Sequence, residues 1–375
     1  MKRTLFLFLL AWALIFRAPP LVQADPSRPK FVTGADLSEL PYYEGMGIKY
    51  ADGGKETTLL AIAKQNNWKI IRVRLWVNPA ADPKAHVSDL AHVTALGKRI
   101  KAAGFEFLLD FHYSDTWADP GHQIKPAAWA ALPFPELVRK VHDYSRDTII
   151  YLIQSGARPD LVQVGNETWN GLLIGDAAHP GGGFWEADHA GMGRAAQLLA
   201  AGLAGVHDAA PQHPPVTIIH VPDGQSTGFV SWYFPALAEA ARTANPPVTL
   251  HCDMIGLSYY PGIPWDHKAG YEPWHLSHLT DSMGYIATVL HKPVMVVETS
   301  WPQASSATDV TGTPEFSFTP QGQAQFYAAL IHAVRAVPNG LGRGVILWEP
   351  DRLNWDSVFD AHGNALPAVR VLGTE

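Results

Sequence analysis

Eight short β-rich runs recur along the chain at intervals of roughly 30 to 55 residues, and most of the gaps between them carry a helical pattern. The runs span residues 31–36, 70–76, 105–112, 161–166, 216–221, 254–259, 294–299 and 344–349. Apolar-periodic segments at 57–65, 87–103, 135–154, 191–207, 228–241, 275–290 and 321–337 lie between them. Strand followed by helix, many times over, is the pattern of a parallel sheet, because a parallel neighbour is reached only through a crossover connection. Eight such units in 375 residues fit an α/β fold closed as a (β/α)8 TIM barrel, whose usual length is about 250 residues before loop insertions. No Pro/Gly/Ser-rich linker marks a second domain. An open doubly wound sheet would want a Gly-rich turn after its first strand, whereas this one ends Gly34-Ala35-Asp36-Leu37-Ser38. The one G-x-G-x-x-A match, at 191–196, follows a loop and reads as helix packing.

In such a barrel the active site is built at the C-terminal ends of the strands. Here those ends are polar and aromatic: Asp36; Arg72, Arg74 and Trp76; Asp110, His112 and Asp115; Asn166 and Glu167; His220 and Asp223; Ser258, Tyr259 and Tyr260; Glu298 and Trp301; Trp348 and Glu349. Apolar strands that each end in polar groups imply one shared pocket. Glu167 closes the fourth run and Glu298 sits in the seventh, each after an apolar stretch. Glycoside hydrolysis needs such a pair, one protonated acid for the leaving oxygen and one ionised carboxylate for the oxocarbenium-like carbon. The fourth and seventh strands face each other across the mouth, which predicts a carboxyl separation of about 5 Å and a retaining double displacement.

Composition narrows the alternatives. The 13 Trp, 12 Tyr and 15 Phe are mostly core filling, but Trp117, Trp301 and Trp348 fall where an indole plane would stack on the C–H face of a pyranose. Asp36, Asp115 and Asp119 are candidate rim acceptors for its hydroxyls. With 28 Lys+Arg against 35 Asp+Glu the formal charge is −7, which excludes a basic nucleic-acid-coating protein. The sequence holds no His-Glu-x-x-His helix, Gly-x-Ser-x-Gly elbow or P-loop, and its 17 His are scattered, so no cofactor and no dedicated metal are expected. In the segment from Gln303 to Pro320, Asp309 is the one plausible hard ligand before Glu315, short of the six to eight oxygens of a calcium site.

Residues 1–24 read as a secretory signal: Lys2 and Arg3, an apolar run too short to span a bilayer, and Val22-Gln23-Ala24 as a cleavage site. Cleavage would leave a barrel domain at 25–375 with a charge of 25 − 35 = −10, an acidic, soluble protein exported to a periplasm or beyond the cell and free of the membrane. It is expected to be a monomer. The single Cys252, beside a strand, reads as a buried inert thiol.

Asn166-Glu167 and Glu298 resemble the catalytic pair of the clan of retaining (β/α)8 glycosidases. Within it the chain resembles glycoside hydrolase family 53, the arabinogalactan endo-β-1,4-galactanases. The segments that carry this are Gly34-Ala-Asp-Leu-Ser38, Ile71-Arg-Val-Arg-Leu-Trp-Val-Asn-Pro79, Leu109-Asp-Phe-His-Tyr-Ser-Asp-Thr-Trp-Ala-Asp-Pro120, Val164-Gly-Asn-Glu167, Ile255-Gly-Leu-Ser-Tyr-Tyr-Pro261, Val296-Val-Glu-Thr-Ser-Trp-Pro302 and Leu347-Trp-Glu-Pro350. The resemblance implies Glu167 as acid/base and Glu298 as nucleophile, with Arg72 keeping the latter ionised. It implies Asn166 on the sugar 2-hydroxyl, Tyr259 or else Tyr260 on the nucleophile, and His112, His220 and Asp223 as pocket-lining polar groups. Its substrate would be the β-1,4-galactan of pectin side chains. One departure stands beside the acid, where the family often reads Ile followed by Thr or Arg and this chain reads Thr168-Trp169-Asn170. The alternatives are an endo-glycanase of the same clan acting on mannan, xylan or β-glucan, and a noncatalytic sugar-binding barrel. Two paired glutamates argue against the second.

Overall fold

A computed structural model describes residues 30–79, 88–175, 190–261, 275–304 and 315–374. The signal segment 1–24 and Asp309 lie outside the described residues. The strands are β1 (Val32–Asp36), β2 (Tyr50–Asp52), β3 (Lys55–Thr57), β4 (Ile70–Leu75), β5 (Glu106–Phe111), β6 (Leu161–Val164), β7 (Val216–Val221), β8 (Met254–Tyr259), β9 (Val294–Thr299) and β10 (Gly342–Leu347). The helices are α1 (Leu40–Gly45), α2 (Leu59–Gln65), α3 (Leu90–Ala102), α4 (Phe134–Gln154), α5 (Ala190–Ala209), α6 (Thr227–Thr243), α7 (Leu276–Thr288), α8 (Pro320–Arg335) and α9 (Ala368–Val371). Eight strands close in the order β1-β10-β9-β8-β7-β6-β5-β4, all parallel, as the alternation of runs predicts.

β2 and β3 are an addition that the alternation did not foretell. They form an antiparallel ribbon turned through Gly53 and Gly54, both at positive φ, the conformation a two-residue hairpin requires. Helix starts follow ordinary capping rules: Thr58, Asp89, Ser226 and Thr319 each accept a backbone N–H in the first turn of α2, α3, α6 and α8.

Alternation along the strands sorts the side chains into two layers. Val32, Ile70, Leu108, Leu161, Ile218, Met254, Met295, Val297 and Ile346 form an apolar plug inside the barrel, to which all eight strands contribute. The opposite faces, such as Ile71, Val73, Phe107, Leu109, Val162, Ile219 and Val296, join the larger core beneath the helices. Two residues beyond the plug, on the same inward face, stand Arg72, Asp110, Gln163 and His220. The barrel interior therefore turns from hydrocarbon to buried polar groups within one layer.

Candidate active site

Two local departures from regular strand geometry bring the glutamates into the mouth. On β6 the chain leaves the strand at Gly165 (φ 82°), continues through Asn166, and turns again at Glu167, itself left-handed at φ 47°. A Cβ on Gly165 would stand 2.5 Å from the Thr168 methyl, so this tight exit excludes any larger residue. On β9 the pairing with β8 shifts register: Leu257 pairs with Val296, but Ser258 pairs with Glu298. Val297 is the extra residue of a bulge. Strict alternation would send Glu298 outward with Val296; the bulge restores it to the inward face beside Ser258.

The two carboxylates then stand close together. One oxygen of Glu167, one of Glu298 and a ring nitrogen of His220 lie within 4.8 Å of one another. Their surroundings differ. Arg72 donates to Glu298 Oε1 at 2.7 Å and the Tyr260 hydroxyl donates to Oε2 at 2.9 Å. The same guanidinium also binds Asp36 at 2.7 Å and Asp110 at 2.8 Å, and donates to Asn166 Oδ1 at 2.9 Å. Burial pushes the Glu298 carboxyl upward and the Arg72 charge opposes it. Among the described residues no cation stands beside Glu167, whose carboxylate accepts a hydrogen bond from Ser258 Oγ at 2.6 Å. Burial, with the Glu298 charge added, holds its carboxyl well above the usual range. Of the two, Glu167 is the carboxyl that holds a proton more readily, since the Arg72 charge favours the anion on Glu298.

His220 links this pair to the second layer. Because the Ser258 hydroxyl donates to Glu167, it accepts from His220 Nε2 at 2.8 Å, which leaves Nδ1 to accept from Gln163 Nε2 at 2.9 Å. Burial, reinforced by the Arg72 charge, holds its pKa well below the ordinary histidine value. Both ring nitrogens are engaged, so the Glu167–His220–Glu298 group offers two carboxylates and no free imidazole lone pair, fewer ligands than a catalytic zinc site uses.

A cleft of about 720 Å³ opens over the pair. One flank holds Arg74, Trp117, Trp348 and Arg352, with the Arg74 guanidinium 4.0 Å over the Trp117 ring and Arg352 4.9 Å over Trp348. The other flank holds Trp169, Pro222, Asp223 and Gln225. His112, Asn166, Asp119 and Tyr260 also face the cleft.

The sequence profile of Glycosyl hydrolase family 53 matches residues 32–372. The chain belongs to that family. The arabinogalactan endo-β-1,4-galactanase of Cellvibrio japonicus is 34% identical over 366 residues, covering 90% of this chain and 89% of that one. The protein of the same description from Thermothelomyces thermophilus is 31% identical over 355 residues, with 90% and 97% covered. Among solved structures, a fungal β-1,4-galactanase aligns at 29% identity with a TM-score of 0.78 over 91% of this chain and 98% of its own. The family 53 catalytic domain of Ignisphaera aggregans gives 29% and 0.75, with 92% and 97% covered.

Within this family 53 barrel the residues named from sequence fall into three groups. Glu167, Glu298, Arg72, His112, Asn166, Asp223, Trp117 and Trp348 line the cleft. Asp36 and His220 do not; both are buried beneath it, Asp36 on Arg72 and Ser38, so neither is a rim contact. Asp115 is no rim acceptor either, since its two oxygens accept the backbone N–H groups of Asn78 and Ala127 and hold two loops together.

Two expectations are corrected outright. Tyr259 pairs with Thr299 on the outward face and packs against Phe326 of α8, so the hydroxyl on Glu298 belongs to Tyr260. Trp301, three residues past Glu298, continues the same outward parity. It is 2% exposed, stacks on Phe326 at 4.8 Å and donates its indole N–H to Ser317 O, which makes it core and no sugar platform. Sequence reasoning named Ser258 and Asp110 as polar strand ends without giving either a role, passed over Gln163, and took Trp169 only as a departure from the family pattern. Inward parity from the plug residues, Leu108 to Asp110, Leu161 to Gln163 and Met254 to Ser258, is the signal that finds the first three.

Proposed function

We propose that this family 53 protein is an arabinogalactan endo-β-1,4-galactanase that retains anomeric configuration, exported through a signal at residues 1–24 and acting on pectic galactan as a monomer. The observation that carries the reading is the asymmetric carboxylate pair, with Arg72 and Tyr260 on Glu298 and burial without a cation on Glu167. Oxygens within 4.8 Å of each other fit the spacing of about 5 to 5.5 Å for double displacement; inversion needs about 6.5 to 9.5 Å to admit a water. Galactan as substrate is supported by the relatives from Cellvibrio japonicus and Thermothelomyces thermophilus, both described as arabinogalactan endo-β-1,4-galactanases.

In the first step a Glu298 oxygen attacks the anomeric carbon while Glu167 gives its proton to the glycosidic oxygen. The departing chain leaves with a free 4-hydroxyl and the glycone stays as an ester on Glu298. Esterification removes the Glu298 charge, so the Glu167 pKa falls and the carboxylate becomes the base for the second step. It takes a proton from water, whose oxygen attacks the same carbon and releases Glu298 as carboxylate. Arg72 fixes the nucleophile and Asn166 lies ready for the 2-hydroxyl.

The test is incubation of the purified protein with β-1,4-galactan and, in parallel, mannan, xylan and barley β-glucan, reading new reducing ends. Galactan is expected to be cleaved far faster than the others, and proton NMR is expected to show the β-anomer first. No cleavage of any polymer removes the enzymatic reading. An initial α-anomer removes the retaining mechanism. Glu298→Gln is expected to lose activity by at least about 10⁴-fold, and Glu167→Gln by about 10² to 10⁴ on substrates whose leaving group needs a proton.

A further inference from the structure

We propose that Trp169 forms a leaving-group subsite that holds the first β-linked hexopyranose beyond the scissile bond. This deepens the galactanase reading and rests on it. Glu167 must approach the glycosidic oxygen from the side of the departing chain, so the cleft wall that continues from the acid is the wall that chain meets. That wall is the single turn Thr168–Asn170, which follows Glu167 directly.

The turn is anchored on both sides. Thr168 Oγ1 donates to His220 O at 3.2 Å, the Tyr233 hydroxyl donates to Thr168 O at 3.1 Å, and Asn170 Nδ2 donates to Pro120 O at 3.3 Å. Trp169 is thereby held at the cleft surface, its edge set against Phe229 at 5.9 Å and 86°. Phe229 in turn lies 6.5 Å from Trp232, which is 41% exposed on α6, so aromatic surface runs outward from the acid. Gln225 also lines the cleft. It is 7% exposed, and its Oε1 is buried with no hydrogen-bond partner among the described residues. An apolar plane held at the cleft surface beside the acid is what the C–H face of a pyranose stacks on.

Barrel order separates this wall from the other aromatic flank. Trp169 and Gln225 follow β6 and β7, while Trp117 follows β5 and Trp348 and Arg352 follow β10. The cleft thus carries two aromatic platforms on different arcs of the rim. The Trp169 arc adjoins the acid.

The experiment isolates the second half-reaction. An aryl β-1,4-galactobioside donor forms the same galactobiosyl ester on Glu298 in every variant, and added β-1,4-galactobiose competes with water for it. In transfer, the acceptor 4-hydroxyl oxygen bonds to the anomeric carbon, its proton goes to Glu167, and Glu298 leaves as carboxylate. The readout is the ratio of transfer product to hydrolysis product, which does not depend on the amount of folded enzyme. Trp169→Ala is expected to lower that ratio about tenfold, the loss of roughly 60 Å² of apolar contact. Trp169→Phe, which keeps a ring face, is expected to recover most of it. A Trp169→Ala ratio within about twofold of the parent, with the parent active on galactan, overturns the subsite. A parent that cleaves no β-1,4-glycan overturns the galactanase reading instead, so the two failures are distinguishable.

Discussion

Tyr260→Phe tests how Glu298, the proposed nucleophile, is kept ionised. The hydroxyl donates to Glu298 Oε2 at 2.9 Å and favours the carboxylate; burial, reinforced by the Glu298 charge, holds the phenol well above its ordinary pKa, so it stays a donor at alkaline pH. A hydrogen bond to a charged group contributes about 1.5 to 3 kcal/mol, and 1.36 kcal/mol is one pKa unit, so its loss raises Glu298 by about one to two units. Arg72 remains at 2.7 Å on the other oxygen, which places the expected value near one unit. Removal favours the neutral acid and catalysis needs the anion, so activity at low pH is lost and the acidic limb of kcat/KM moves to higher pH. The alkaline limb reports Glu167, on which Ser258 and not Tyr260 donates, and it is expected to stay in place. The assay is initial rate on galactan across about pH 3 to 10, where kcat/KM reports the free enzyme. Tyr259→Phe, on the outward face, is expected to move neither limb. An acidic limb unmoved by Tyr260→Phe, or both limbs moving together, would refute this division of labour.

Three further outcomes follow from the same contacts. Ser258→Ala removes the 2.6 Å hydrogen bond that favours ionised Glu167, so the alkaline limb is expected to rise by about one pH unit in the same rate profile. Burial, set against Arg74 and Arg352, pushes Glu349 up to about 7. Its folded value exceeds the unfolded value of about 4.3, so its contribution is present below that pH and lost as pH rises through 7; the stability of the parent relative to Glu349→Gln, read by urea denaturation, is expected to fall across that window. Trp301→Ala empties an aromatic core site and is expected to cost about 3 to 5 kcal/mol of stability in thermal unfolding while the KM for galactan stays at the parent value, a result opposite to that for a sugar platform.

Much of the fold was legible because parallel barrels write their period into the chain. The runs at 216–221, 254–259 and 294–299 coincide with β7, β8 and β9 to the residue, since strands covered on both faces are nearly continuous apolar segments. The β2–β3 ribbon was not, because its three-residue strands carry too short a pattern to show alternation. Within the site, Glu167 and Glu298 were legible as carboxylates that end apolar strands. Tyr259 and Trp301 were misread because proximity in sequence to a catalytic position says nothing about which face a side chain takes, and one residue of parity separates Tyr259 from Tyr260. Asp36 and Asp115 were misread for a related reason: a carboxylate near the mouth can serve a buried guanidinium or a loop backbone as readily as a sugar.

The sequence by itself determined the eightfold alternation, the residue types at each strand end and the presence of two glutamates, all of which are properties of local pattern. Tertiary structure alone decided what those residues do to one another. The bulge at Val297 and the left-handed turn at Glu167 aim the two carboxylates inward. Barrel closure then sets Arg72 of β4 on Glu298 of β9 and Ser258 of β8 on Glu167 after β6. Which carboxyl keeps its proton depends on those contacts across strands, because a pKa is set by burial and by neighbouring charge in space, and neither is a property of the chain read in order.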